Sequence, residues 1–281
     1  MTTEAGTSAG FGERLVTAGS DHGRLCVGID PHASLLRDWG LGDTVSGLSE
    51  FSARCVEAFA GHVALVKPQV AFFERFGAAG YGVLEQTIQA LRGAGTLVVA
   101  DAKRGDIGST MDGYADAWLG QSPLQSDAVT VSPYLGVGAL APAIERGGVF
   151  VLAATSNPEA VAFQTQRLVD GRTVAQFMVD ECAALNATKG SSVGSVGVVV
   201  GATLQQPPCL DHLNGPVLMP GVGAQGGTAE DVERIAGRNA HLVFPSVSRS
   251  VLGAGPDVNE LRKQSIYLAK HYYSRAKGSL W

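Results

Sequence analysis

A (β/α)8 barrel, an α/β fold forming a single domain over residues 1–281, is the class this sequence predicts, and three observations predict it. Eight short runs rich in β-branched residues recur along the 281 positions. Helix-like stretches separate most of them. Polar residues recur where the runs stop, as expected when parallel strands end together on the face of a barrel that carries its chemistry.

In order, the runs are "RLCVGID" ending at Asp30, "HVALVKP" carrying Lys67, "GTLVVADAK" ending at Lys103, "DAVTVS" ending at Ser132, "GVFVLAATS" ending at Ser156, "VGSVGVVVGA", "PVLMPGVG" and "HLVFPSVS". Most are continuously apolar rather than alternating, which suits strands covered on both faces. After the first, "SEFSARCVEAFAGH" sets Phe51, Val56 and Phe59 near one helical face, and after the second "GVLEQTIQALRGAG" stops on glycine. Residues 157–193 exceed what one crossover needs and read as an insertion, with "RTVAQFMVDECAALNA" its helical part. In "TLQQPPCLDHLNGP" the paired prolines leave room for only a stunted helix. "TAEDVERIAGRN" opens with the T-x-x-D pattern of a capping box at Thr228 and Asp231. Residues 256–281 read as an amphipathic helix that closes the barrel, and residues 1–10 as a frayed start.

Composition narrows the function. With 45% apolar residues and a net charge of -5, the chain is globular and lacks the basic footprint that nucleic acid or an anionic membrane requires. No segment approaches the ~20 apolar residues that span a bilayer, so a cytoplasmic protein acting on small molecules is expected. Cys26, Cys55, Cys182 and Cys209 form no CxxC pair and are expected to be reduced core residues. The six histidines show no metal-ligand spacing, and "GVGAQGG" lacks the GxGxxG of a dinucleotide site, so neither a metal nor a cofactor is expected.

The stretch "DAKRGDIGST" concentrates four charges directly after an apolar run. Residues i and i+2 of a strand share a side, so Asp101 and Lys103 point together into the barrel mouth, while Asp106 has left the strand. A lysine between carboxylates is held as an ammonium and is a proton donor. Imine chemistry, which needs the neutral amine, is disfavoured. Lys67 places a second ammonium at a strand end.

The ends of the seventh and eighth runs read as an anion site. "MPGVGAQGG" after the seventh run contributes Pro220, Gly221, Gly223 and Gln225, its glycines letting main-chain N–H groups approach an anion closely. "SVSRSV" after the eighth adds Arg249, whose paired donors suit phosphate. Barrels frequently hold phosphate with these two loops.

Taken together, "VGIDP", "VKPQ", "DAKRGDI", "PGVGAQGG" and "SRS" resemble, in order and spacing, the orotidine 5'-phosphate decarboxylase family, and "TVSPYLG" resembles its larger bacterial subgroup. The resemblance covers about residues 25 to 255. It implies a cofactor-independent decarboxylation of orotidine 5'-monophosphate in pyrimidine synthesis, with Lys103 protonating C6 and Asp101 beside the departing carboxylate. It also implies that Asp30 and Lys67 bond the ribose hydroxyls, Ser132 the base, and Gln225 and Arg249 the phosphate. Asp106, Ile107 and Thr110 would enter the active site of the partner subunit in a homodimer. Two other readings stay open on the residues alone. One is a magnesium-dependent phosphosugar enzyme on the same barrel; the other is a silent phosphate-ligand sensor.

Overall fold

Strand formation follows the apolar runs closely, and the barrel closes. The computed structural model describes residues 9–277. Among them are eight parallel strands: β1 (Cys26–Ile29), β2 (Leu65–Pro68), β3 (Leu97–Arg104), β4 (Ala128–Val131), β5 (Gly148–Ala154), β6 (Val196–Val200), β7 (Val217–Pro220) and β8 (Val243–Val247). They pair in chain order, and β8 returns to β1 through Cys26↔Ser246 and Val27↔Val247. This is the TIM barrel that the alternation of runs predicts.

Alternate strand residues divide the core in two. Cys26, Leu65, Val99, Ala128, Phe150 and Phe244 fill the barrel, whereas their neighbours Val27, Val66, Val98 and Val149 pack outward on the helices. Both faces are dry, which is why the runs read as continuous. The helix Val45–Phe59 buries Phe51, Cys55 and Phe59 completely, leaving Val56 half-buried at its margin. Helix Ala229–Ala236 has the expected capping box, with the Asp231 N–H donating to Thr228 Oγ1 at 3.1 Å and the Thr228 N–H donating to Asp231 Oδ2 at 3.1 Å. The terminal helix Val258–Lys277 lies against the first of these, where Arg262 donates to the Ala58 carbonyl at 3.2 Å.

The structure departs from the sequence reading in three places. No helix forms among residues 201–216, where the chain runs in turns past Pro207 and Pro208. Cys26, Cys55 and Cys182 are buried, but Cys209 is exposed because it lies on that irregular stretch rather than on an element facing the core. A helix that the composition did not reveal, Phe11–His22, plugs the bottom of the barrel. Residues 1–8 of the expected frayed start lie outside the described residues; Gly10 already caps this helix, its N–H donating to Glu13 at 3.2 Å. The 157–193 segment contains two short helical turns, a bridge between Arg167 and Thr173, and the helix Val174–Thr188. No helix among the described residues is long and apolar enough to cross a membrane.

The plug rests on missing side chains. Phe11 meets Phe150 edge-on, with ring centroids 5.9 Å apart. It fits because position 148 is glycine: a Cβ there would lie 2.3 Å from the Phe11 ring. We therefore expect Gly148→Ala to lower unfolding stability by about 1–3 kcal/mol through overpacking. The same substitution in a Phe11→Ala background should be nearly neutral. Denaturant titrations of the four proteins check this, and equal losses in both backgrounds would contradict the plug.

Candidate active site

Inward-pointing residues one layer above the dry interior form the site. Leu152, Val199 and Leu218 floor a cleft of about 280 Å³ at the C-terminal ends of the strands. Asp30, Lys67, Asp101 and Lys103 stand on one side of it, and Gly221, Gln225 and Arg249 on the other. The spacing in sequence produces this directly. Lys67 lies two residues after inward Leu65, and Asp101 two after inward Val99, so both continue the inward face beyond the apolar layers.

The four charges form one network around Asp101. Its Oδ1 accepts from Lys103 Nζ at 2.5 Å and its Oδ2 from Lys67 Nζ at 3.0 Å. Lys67 also donates to Gln69 Oε1 at 3.1 Å, and its nitrogen stands 3.9 Å from Asp30 Oδ1. Asp30 Oδ1 is buried and accepts no hydrogen bond. Such an atom needs a donor, and a ligand hydroxyl would supply one.

Burial and charge compete at two of these groups. Burial favours the neutral form of Asp101, but Lys67 and Lys103 outweigh it and hold the carboxyl well below the usual carboxylate range. Burial likewise opposes the Lys67 ammonium, and the charges of Asp101 and Asp30 overcome it, raising that amine above its ordinary range. Lys103 differs in access: its side chain is 47% exposed, whereas that of Lys67 is 7% exposed. Lys67 is thus built into the wall, and Lys103 reaches into the cleft.

The backbone sets that reach. Lys103 has φ +50°, a left-handed conformation uncommon for a residue with a side chain. Beyond it, Arg104 turns outward to an ion pair with Glu74, which also accepts from Tyr81 Oη at 2.6 Å. The four charges of "DAKRGD" therefore separate: two enter the mouth, Arg104 ties the strand to the helix layer, and Asp106 sits at the rim.

Loop geometry brings the anion side together. Gly221, Gly223 and Gly226 all have positive φ, and a Cβ at Gly223 would lie 2.7 Å from Ser250 Oγ. The loop after β7 thus packs against the residue following Arg249. Pro220 lines the cleft, while Gly223 lies outside the lining and serves this packing.

The remaining sequence-predicted residues lie elsewhere. Ser132 is outside the cleft lining; its N–H donates to the Arg104 carbonyl at 2.8 Å, and its own carbonyl lies against Gly105. Asp106, Ile107 and Thr110 also lie outside it, at the start of helix Gly108–Leu119, with Ile107 62% exposed. Sequence reasoning passed over Gln69, Thr130, Thr155 and Ser246, which do line the cleft. Parity was the available signal: Thr130 and Ser246 each stand two residues beyond an inward core residue, Ala128 and Phe244.

Comparison with known proteins identifies the family. Residues 23–264 match the family described as orotidine 5'-phosphate decarboxylase / HUMPS. An orotidine 5'-phosphate decarboxylase of Corynebacterium glutamicum (strain R) is 63% identical over 260 residues, spanning 90% of this chain and 94% of that protein. One from Corynebacterium efficiens is 65% identical over 260 residues, spanning 90% and 93%. Among solved structures, a Streptomyces avermitilis ma-4680 protein assigned the same activity superposes with a TM-score of 0.92 at 52% identity, covering 99% of this chain and 100% of that one. A Toxoplasma gondii protein with the same assignment gives 0.83 at 28% identity, covering 96% and 97%.

The network has a pH signature. A carboxyl lowered in the folded state contributes stability above its unfolded value, and that contribution fades as pH falls through its folded value. Asp101→Asn should be less stable than the parent by about 3 kcal/mol at neutral pH, because two ammoniums lose their shared partner. The gap should narrow below about pH 4, where the unfolded carboxyl takes up its proton. Unfolding titrations from pH 3 to 8 measure it; a gap independent of pH would show that the ionised form contributes nothing.

Proposed function

The chain belongs to the orotidine 5'-phosphate decarboxylase / HUMPS family, and from that membership we propose that this enzyme converts orotidine 5'-monophosphate to uridine 5'-monophosphate and carbon dioxide, with Lys103 delivering the proton to C6. The observation that carries the mechanism is the Lys103–Asp101–Lys67 network, with one ammonium projecting into the cleft and a fixed carboxylate behind it.

In this reaction the bond from C6 to the carboxylate breaks and the electron pair stays on C6, in the plane of the ring. No π-system accepts it there. A preorganised ammonium stabilises that pair electrostatically, and more strongly where water is excluded. Lys103 then gives its proton to C6 and is reprotonated from solvent after product leaves. Asp101, adjacent to the departing carboxylate, keeps the Lys103 nitrogen in position.

The rest of the cleft orients the nucleotide. Asp30 Oδ1 accepts a ribose hydroxyl, and Lys67, with two protons committed to Gln69 and Asp101, has a third for another. Arg249, Gln225 and the cleft-lining part of the β7 loop at Gly221 hold the phosphate, and Ser132 meets the base from the rim. Binding energy collected at the phosphate orients the ring at a distant carbon. Asp106, Ile107 and Thr110 complete the site of a second subunit, which accounts for the exposure of Ile107 on a single chain. The enzyme acts as a cytoplasmic homodimer, and the 1–281 chain as one barrel domain.

Two experiments test this reading. Loss of ultraviolet absorbance on adding orotidine 5'-monophosphate in excess EDTA should be rapid for the parent and reduced by on the order of 10³ or more in Lys103→Ala. Absence of turnover until magnesium is supplied would favour a metal-dependent phosphosugar enzyme instead. Mixing Lys103→Ala with Asp106→Asn, each nearly inactive alone, should recover activity by forming one intact site per mixed dimer. No recovery after verified subunit exchange would refute the shared site.

A further inference from the structure

We infer that Thr130 is a positioning residue for the proton donor: its hydroxyl locks the Asp101 carboxylate and the Lys103 main chain into one geometry. This rests on the decarboxylase reading and adds to it a residue from β4, outside the charged network.

The register of the barrel creates the need. Ala100 pairs with Val129 and Arg104 with Val131, so four steps along β3 face two along β4. Residues 101–103 bulge out of the ladder, and Lys103 takes up its positive φ within that bulge. Thr130 is the β4 residue opposite it. The Lys103 N–H donates to Thr130 Oγ1 at 2.9 Å, and the Thr130 hydroxyl donates to Asp101 Oδ1 at 2.9 Å. The directions are forced. An amide N–H only donates and an ionised carboxylate only accepts, so a group that does both must stand between them.

The contacts close a ring. Asp101 Oδ1 also accepts from Lys103 Nζ, so the lysine is held at its amide through Thr130 and at its ammonium through Asp101. Thr130 is 1% exposed, leaving no solvent to take over its bonds. Valine would match its shape and break the ring at one atom.

The test compares the parent, Thr130→Val and Thr130→Ser for kcat and KM on orotidine 5'-monophosphate. Affinity for uridine 5'-monophosphate and thermal unfolding are measured alongside. Loss of a hydrogen bond to a charged group should lower kcat of Thr130→Val by roughly tenfold to a hundredfold. KM and product affinity should stay within about threefold, and Thr130→Ser should restore most of kcat. In an Asp101→Asn background, Thr130→Val should add little, since the two substitutions break the same ring.

Parental kcat in Thr130→Val would overturn the inference. So would a loss confined to KM and product affinity, or a Thr130→Ser variant as slow as the valine one, which would indicate packing alone. If Thr130→Val does not fold, Thr130→Ala carries the same expectations without the added methyl. A folded parent that fails to decarboxylate the nucleotide would instead defeat the reading on which the inference rests.

Discussion

A carboxylate buried inside a barrel stays ionised only if cations are built around it, and Asp101 imposes that constraint on everything near it. At 8% exposure it has little water to solvate it. Lys67 and Lys103 supply the compensation from two different strands, so β2 and β3 must be in register before the charges can meet. Below them the interior is apolar, with Leu152, Val199 and Leu218 forming the floor. Charges over such a floor interact more strongly than they would in water. The apolar core is thus part of the electrostatics as well as of the stability.

The same constraint separates two tasks across the cleft. On one side, the buried Lys67 and Asp101 hold each other and the more exposed Lys103 through ion pairs. On the other, Gln225 is exposed on a loop shaped by glycines, and Arg249 is exposed at the start of the short helix Arg249–Leu252. An ion-paired wall facing an exposed anion-binding loop suits a reaction in which the substrate must be captured first and aligned second. Such an arrangement lets contacts made far from the reacting atoms govern its rate.

Much of this was legible in the chain itself. Continuous apolar runs marked the strands because both faces of each are buried, and strand-end charges marked the mouth because inward parity persists past the core. What escaped notice has physical reasons. The helix Phe11–His22 presents few large apolar side chains, and its seat depends on glycines remote in sequence, so no local periodicity announces it. Thr130 is an ordinary polar residue whose importance arises only when β3 bulges against β4, and Gln69 one whose importance arises only when Lys67 turns inward beside it. Ser132 shares the parity of Thr130, yet one more step along the strand carries it out of the cleft. Cys209 lies outside the core because the stretch expected to form a stunted helix runs in turns instead.

The plug at the bottom of the barrel also dictates an order of events during synthesis. Phe11 leaves the ribosome long before its seat, which is made by Gly148 and Phe150, and Gly19 packs against Phe244. This helix therefore waits through most of translation for the greater part of its binding surface, and its seat is complete only after β8 has emerged. Until then its apolar face has only the early part of its native surroundings, at Cys26, Ala64 and Leu65. Final assembly joins the helix Phe11–His22 and β1 to β8, making closure of the barrel a late and long-range event.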